Sequence, residues 1–237
     1  MTTETTPLSG LLVVDKPLRA SSMDVCRGVK RRLIEAGFPK SIKVGHGGTL
    51  DPLATGVVVV LIGRATKLCD TVMAGEKRYL AEVDLSRTST TDDLEGHLTT
   101  APLPPSGPPT REQVEAACRG FVGTIAQRPP SYSAIWVDGR RAYKLARKGK
   151  PVDLPERPVV VHSIDVLAYD WPVVRLDIRC GKGTYIRSLA RDLGASLGVG
   201  GMLVALRRTV VGEFTIERAT PLDDLPPRLD GSHLIPV

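Results

Sequence analysis

The feature that most limits the fold of this chain is the spacing of its apolar residues, which changes repeatedly between strand-like and helix-like periods. Residues 57–62 form an unbroken aliphatic run, as expected of a buried strand, and residues 77–85 alternate between apolar and polar. Strand–helix–strand units do not dominate, which argues against a parallel sheet. We predict an α+β fold with helices flanking a mixed, mostly antiparallel central sheet. Further strands are predicted at residues 10–15, 132–137, 159–166 and 174–180.

Capping residues and apolar stripes predict the helices. Ser21 or Ser22 can cap one helix, and Thr110 begins a capping box for another. Residues 186–197 carry an apolar stripe at helical spacing. Helical segments are also predicted at residues 66–74 and 140–150, whereas the glycine-rich residues 43–56 and the proline-rich residues 101–110 are predicted to be loops.

Composition and charge narrow the class of protein. The chain has 237 residues, enough for one large domain. Its net charge of +6 favours a polyanionic partner, of which nucleic acid is the commonest. The four cysteines are far apart, which argues against a zinc site. Neither a signal segment nor a membrane-length apolar run is visible, so we expect a cytoplasmic protein.

The most informative segment is residues 45–56, which read GHGGTLDPLATG. It resembles the signature loop of the TruB family of tRNA pseudouridine synthases. The resemblance extends over residues 10–222, because further family segments follow in order. These are residues 15–17 (DKP), 77–79 (KRY), 129–134 (PPSYSA), 142–149 (AYKLARKG), 183–187 (GTYIR) and 206–209 (LRRT).

The resemblance implies a fold, an activity and a partner. The expected organisation is a pseudouridine synthase catalytic domain at residues 10–222, between a flexible tail at 1–9 and a short tail at 223–237 without the PUA domain of many relatives. The implied activity is that of a tRNA pseudouridine(55) synthase, an isomerase that flips the T-loop uridine out of its stack. No cofactor, metal or obligate protein partner is expected, and the default is a monomer that binds the T-arm of tRNA.

Asp51 is the candidate catalytic residue. Pseudouridine formation breaks an N-glycosidic bond and rejoins the base through carbon, which places positive charge on the sugar. A carboxylate can stabilise that charge, attack the sugar carbon or remove a proton from the neighbouring carbon. Glycosidases need two carboxylates because they also handle water, whereas here no water adds and one can suffice. Taken locally, Asp51 before Pro52 could equally be a turn former.

Other site residues follow from the resemblance alone. It implies that Arg187 pairs with Asp51 and that Tyr185 lies against the base as packing partner or proton acceptor. It also implies that Tyr79 stacks on the uracil and that His46 enters the space left by the flipped base. The remaining expected substrate-binding residues are Leu206 in the uracil pocket, Lys16, and the phosphate-contacting Arg147 and Lys148.

Two of these assignments have plain alternatives. Lys16, with Pro17, could instead brace the catalytic loop. Arg147 and Lys148 belong to a basic cluster within residues 140–150, which could be a solvated helix face rather than a phosphate-binding surface.

The chain departs from the family pattern at three positions. Arg19 stands where glycine is usual, so its turn is expected to be built differently. Gly47 replaces a usual threonine or alanine, which is expected to loosen the loop. Ser86 follows Leu85 where the family commonly has glycine.

Two further functional hypotheses stay open. One is an RNA-binding or tRNA-folding protein in which catalysis is incidental or lost. The other is a guide-RNA-dependent synthase related to the dyskerin group, which activity on a bare transcript would exclude.

Overall fold

The computed structural model describes residues 8–133, 135–137, 139–146 and 154–237. The chain divides into two compact units. The first unit is formed by the chain before Tyr79 together with Arg207–Val237, and the second by Tyr79–Leu206. Helices and a mixed sheet confirm the predicted α+β class. In the described part of the chain, no helix is both long and apolar enough to cross a membrane.

The regular elements follow in chain order. The strands are β1 (Gly10–Lys16), β2 (Val44–His46), β3 (Ala54–Ile62), β4 (Lys77–Asp84), β5 (Arg87–Ser89), β6 (Leu98–Thr100), β7 (Gly123–Gln127), β8 (Trp136–Val137), β9 (Arg140–Arg141), β10 (Arg157–Asp170), β11 (Val173–Cys180), β12 (Met202–Val211), β13 (Phe214–Thr215) and β14 (Thr220–Pro221). The α-helices are α1 (Ser22–Glu35), α2 (Cys69–Ala74), α3 (Arg111–Arg119), α4 (Ala142–Ala146) and α5 (Ile186–Ser196). Short 3₁₀ helices lie at Gly63–Leu68, Ile216–Arg218 and Gly231–His233.

The first unit is built on β1 and β3. They pair antiparallel from Gly10 opposite Ile62 to Lys16 opposite Gly56. On its other side β1 pairs parallel with β14, while β2 pairs antiparallel with β3 and β13 with β12. The core of this unit is aliphatic, as the run at residues 57–62 predicts. It contains Leu11, Val13, Val57, Val59, Leu61, Ala65, Val211 and Phe214.

Local sequence explains the first helix. The Ser21 side chain accepts a hydrogen bond from the Asp24 backbone, and the Asp24 carboxylate accepts one from the Ser21 backbone, so the two form a capping box. Of the two predicted caps, Ser21 is therefore the one used. The helix ends just before Gly37, which has a φ of 100°.

The second unit contains a long antiparallel pair, β10 with β11, and β7 on the other edge of β10. Thr110 and Gln113 form the predicted capping box of α3. Alternation along β4 buries Tyr79, Ala81 and Val83 on one face, as its alternating sequence predicts. The stripe at residues 186–197 is confirmed as α5, whose apolar side chains are buried.

Several predicted boundaries are wrong. Residues 43–56 are not all loop, because Val44–His46 forms β2 and β3 already begins at Ala54. Glycine weakens a strand but does not prevent backbone pairing. Among the described residues of the predicted strand at 132–137, Trp136–Val137 alone forms a strand. The predicted helix at 140–150 begins only at Ala142, after β9, and residues 147–150 lie outside the described residues.

Candidate active site

Asp51 lies in a tight turn between β2 and β3. We call residues 48–52 the Asp51 loop. The Asp51 side chain is half-buried, and its backbone carbonyl accepts a hydrogen bond from Ala54 N at 3.0 Å. Each of the other carbonyls in the loop also accepts a hydrogen bond, from residues distant in sequence. The backbone around the candidate carboxylate is therefore held at every residue.

Arg208 of β12 holds the first part of the Asp51 loop. Its guanidinium donates to Gly48 O and Thr49 O, both at 3.2 Å, and to Val57 O at 2.8 Å. The residue is only 2% exposed, so these carbonyls take the place of water around its charge. A buried arginine with such partners is a brace between β12, β3 and the loop.

Ser22 holds the middle of the loop from the start of α1. Its hydroxyl donates to Leu50 O at 3.0 Å and accepts from Leu50 N at 2.8 Å. Both residues are buried, at 2% and 4% exposed. One side chain thus satisfies both backbone groups of the residue before Asp51.

Lys16 holds the end of the loop. Its ammonium donates to Ala20 O at 2.6 Å, Pro17 O at 3.0 Å and Pro52 O at 3.3 Å, and the residue is fully buried. Burial lowers the pKa of Lys16 to about 8, although the nearby Asp51 carboxylate raises it. These contacts support the bracing role, and a contact of Lys16 with substrate stays a prediction.

The turn at Arg19 keeps the conformation that a glycine would favour. Arg19 has a φ of 68°, and its backbone N–H donates to Pro52 O at 2.7 Å. The structure therefore does not show the differently built turn that was expected: the arginine itself adopts the left-handed region, and its N–H binds the Asp51 loop there.

Gly47, just before the Asp51 loop, is packed by a side chain of α2. A Cβ on Gly47 would lie 2.3 Å from Val72 Cγ1 and 2.8 Å from Val72 Cβ. The volume of a usual threonine or alanine is thus occupied by Val72, and the Gly47 N–H donates to Val59 O at 2.8 Å. These contacts do not indicate the expected loosening of the loop, because a glycine is needed for Val72 to approach the backbone this closely.

His46 ends β2, and its half-buried ring has an unusual environment. Among the described residues, no hydrogen-bond partner is found for its buried Nδ1 atom. Burial, and next the positive charge of Arg208, lower the pKa of His46. The ring is therefore neutral at physiological pH.

A bidentate ion pair ties β1 to β12 beside these braces. Arg207 donates to Asp15 Oδ2 at 2.7 Å and Oδ1 at 3.2 Å, and to Thr55 Oγ1 at 3.3 Å. The structural roles of Arg207, Arg208 and Ser22 were missed from sequence. For Arg207 and Arg208, the sequence offered one indication of a structural role, because these two adjacent arginines lie inside an otherwise apolar segment.

Arg187 lies in the first turn of α5, in the second unit, and is 5% exposed. Its guanidinium donates to Thr91 O at 3.1 Å and Tyr132 O at 3.0 Å, and its Nε lies 3.5 Å from Asp93 Oδ2. Asp93 was not predicted, because nothing in the sequence relates it to Arg187. The pairing of Arg187 with Asp51 stays a prediction.

Tyr185 is the N-cap residue of α5, as expected, and is half-buried. The buried amide of Gln127 accepts from Tyr185 N at 2.8 Å and donates to Tyr185 O at 3.1 Å. The Arg157 guanidinium lies 5.3 Å from the centre of the tyrosine ring, within cation–π distance. Gln127 and Arg157 therefore position the tyrosine, and sequence reasoning found neither.

Two further predicted site residues lie on strands. Tyr79 lies on β4 and is 8% exposed, and Leu206 is half-buried on β12. Arg147 and Lys148 lie outside the described residues. Of the predicted site residues, Lys16, His46 and Asp51 belong to the first unit. The second unit contains Tyr79, Tyr185, Arg187 and Leu206.

Two family models match adjacent parts of the chain. Residues 31–186 match the TruB family pseudouridylate synthase (N terminal domain). Residues 187–229 match the tRNA pseudouridylate synthase B C-terminal domain. The boundary between the two matches differs from the boundaries of the compact units, at Tyr79 and Arg207.

Curated relatives and solved structures are also similar. A tRNA pseudouridine synthase B of Parabacteroides distasonis is 45% identical over 87% of this chain and 87% of its own length. One from Corynebacterium efficiens is 48% identical over 92% of this chain and 72% of its own length. A chain in the crystal structure of a Cbf5–Nop10–Gar1 complex has a TM-score of 0.68 at 28% identity, covering 91% of this chain. This chain spans 53% of that one, about half its length.

Proposed function

The chain belongs to the TruB family of pseudouridylate synthases, and from this premise we propose that it isomerises the T-loop uridine of tRNA to pseudouridine. The observation that carries the proposal is the match to tRNA pseudouridine synthases B at 45–48% identity over most of the chain. The enzyme is thus an isomerase of the pseudouridine synthase class. The T-loop position is the finer part of the proposal.

In the proposed reaction the Asp51 carboxylate acts on the ribose as the glycosidic bond breaks. Nucleophilic attack and proton abstraction both use this one carboxylate, and both require its position to be fixed. The hydrogen bonds to all carbonyls of the Asp51 loop support this role. A catalytic group held by such surrounding contacts needs little rearrangement to reach the transition state.

Further residues have proposed roles at the base. Arg187 pairs with Asp51, so that a guanidinium contacts the carboxylate and holds its orientation. Tyr185 and Tyr79 contact the uracil, and His46 enters the RNA where the base has left its stack. The neutral state of His46 and the fixed backbone of Tyr185 support these roles.

We propose that the enzyme acts on tRNA alone, as a monomer and without a guide RNA. Solved structures of H/ACA complexes are similar, but only at 27–28% identity and over about half of those chains. The relatives at 45–48% identity carry the name tRNA pseudouridine synthase B. All four cysteines are free thiols, which supports a cytoplasmic location. Residues 10–222 are proposed as the catalytic domain.

The test is tritium release from C5-labelled uridine in an unmodified tRNA transcript, with the modified position mapped. The C5 hydrogen leaves when the carbon–carbon link forms, so release reports the bond change. We expect release by the wild type at the T-loop and none by Asp51→Asn, which still binds the transcript. Asp223→Asn, which removes the same charge at an exposed residue, is the matched control. Release by Asp51→Asn, or mapping elsewhere, contradicts the proposal.

A further inference from the structure

Arg19 combines a costly backbone conformation with an exposed charge. In the described part of the chain it is one of two non-glycine residues with positive φ, at 68°, the other being Asp92 at 61°. Residues with a Cβ disfavour this region, and such conformations persist where the surroundings or a function require them. Glycine would adopt the same turn at lower cost. The arginine side chain therefore needs a reason of its own.

The turn fixes Arg19 directly beside the Asp51 loop. Its N–H donates to Pro52 O at 2.7 Å, which places its backbone against the residue that follows Asp51. The Lys16 ammonium binds both Ala20 O and Pro52 O, at 2.6 and 3.3 Å, so the turn and the loop share one anchor. An RNA whose ribose reaches Asp51 must pass close to this turn.

No contact within the described part of the chain explains the side chain of Arg19. It is exposed, and among the described residues its guanidinium makes no hydrogen bond or ion pair. The acid next along the chain, Asp24, is bound by Ser21 and Arg27. Asp92 is the contrasting case, because its carboxylate lies 3.0 Å from Arg191. Within the described part of the chain, the exposed Arg19 charge is thus left available to a partner outside the protein.

We propose that Arg19 binds a phosphate of the RNA substrate next to the nucleotide on which Asp51 acts. The inference rests on the proposed function and deepens it. A guanidinium presents paired N–H donors that match phosphate oxygens. Phosphates occur at every nucleotide and set the register of RNA on a protein. The chain thus carries an additional substrate contact where a glycine would leave none.

The experiment separates charge from backbone strain with three variants. Arg19→Lys keeps the charge, Arg19→Gln removes it with the Cβ retained, and Arg19→Gly removes both charge and strain. The Kd for a T-arm hairpin RNA is measured by fluorescence anisotropy over a range of salt concentrations. The Tm of each variant and kcat from tritium release are measured in parallel.

We expect Arg19→Gln and Arg19→Gly to raise the Kd about fivefold to tenfold and to reduce the slope of log Kd against log salt by about 1. Arg19→Lys should retain the wild-type slope. Arg19→Gly alone should raise the Tm, by about 2–4 °C, because it relieves the strain. Arg228→Gln, which removes a charge at another exposed residue of the first unit, is the control.

An unchanged Kd and slope in Arg19→Gln would overturn the inference. The same holds if Arg228→Gln weakens binding equally, since the effect would then be one of net charge. Loss of kcat at unchanged Kd would also overturn it, because that result assigns Arg19 to the loop geometry. Wild type that binds the hairpin but releases no tritium contradicts the proposed function instead, and leaves the binding test of Arg19 intact.

Discussion

Replacing Ser22 with alanine tests whether the Asp51 loop is held from outside. The change removes one oxygen, yet it leaves both Leu50 N–H and Leu50 C=O without their partner. Leu50 is 4% exposed, so water has little access to either group. A buried polar group left unpaired costs about 1–3 kcal/mol. Since two groups are affected and the loop can relax partly, we expect a loss of about 2–4 kcal/mol in unfolding free energy.

The effect on catalysis should exceed the effect on binding. Leu50 directly precedes Asp51, and a displacement of about 1 Å at a reacting group can cost a hundredfold in rate. We expect Ser22→Ala to lower kcat between tenfold and a hundredfold while the Kd for tRNA changes less than about threefold. Denaturant unfolding gives the stability, and tritium release well below the Tm gives kcat.

Two variants control the interpretation. Ser41→Ala makes the same change at an exposed residue and should affect neither quantity. Ser22→Thr keeps the hydroxyl and should recover part of the lost kcat. Wild-type kcat in Ser22→Ala, or a loss of stability below about 0.5 kcal/mol, would refute the reasoning that this hydroxyl sets the position of Asp51.

Two further predictions concern packing and pH. Gly47→Ala should destabilise the protein by about 1–3 kcal/mol in denaturant unfolding, because its Cβ would meet Val72. Adding Val72→Ala in the same chain should restore part of that loss. If the losses of the two single variants simply add in the double variant, the steric explanation is wrong. Because burial lowers the pKa of His46, the unfolded chain binds its proton at higher pH, so the free energy of unfolding should fall as pH drops below about 6.5. His46→Gln should reduce the dependence of the unfolding free energy on pH between pH 5 and 7, compared with the wild type. An equal pH dependence in the two proteins would show that folding does not change the titration of His46.

The elements that the sequence predicts well are those whose signals are local. The capping boxes at Ser21 and Thr110 each lie within four residues of chain and fix the starts of α1 and α3. Alternation along β4 likewise depends only on which face is buried. These signals do not require knowledge of distant contacts, and the structure confirms them.

What the sequence does not predict depends on long-range contacts. β12 contains Arg207 and Arg208, and charged residues argue against a buried strand unless their partners are known. Those partners are carbonyls and a carboxylate far away in the chain. The partner of Arg187, Asp93, is hidden for the same reason. Asp51 itself was identified through family resemblance, because its local sequence indicates only a turn.

The Arg208 brace has a consequence for synthesis of the enzyme on the ribosome. Arg208 donates to Thr49 across a separation of 159 residues. At about 5–20 residues per second, roughly 8–30 s pass between translation of these two residues. During that interval Gly48 and Thr49 lack the donor that holds their carbonyls. A nascent chain that already displays Asp51 therefore lacks the contacts that hold its loop, and the proposed catalytic geometry can form only when β12 has emerged.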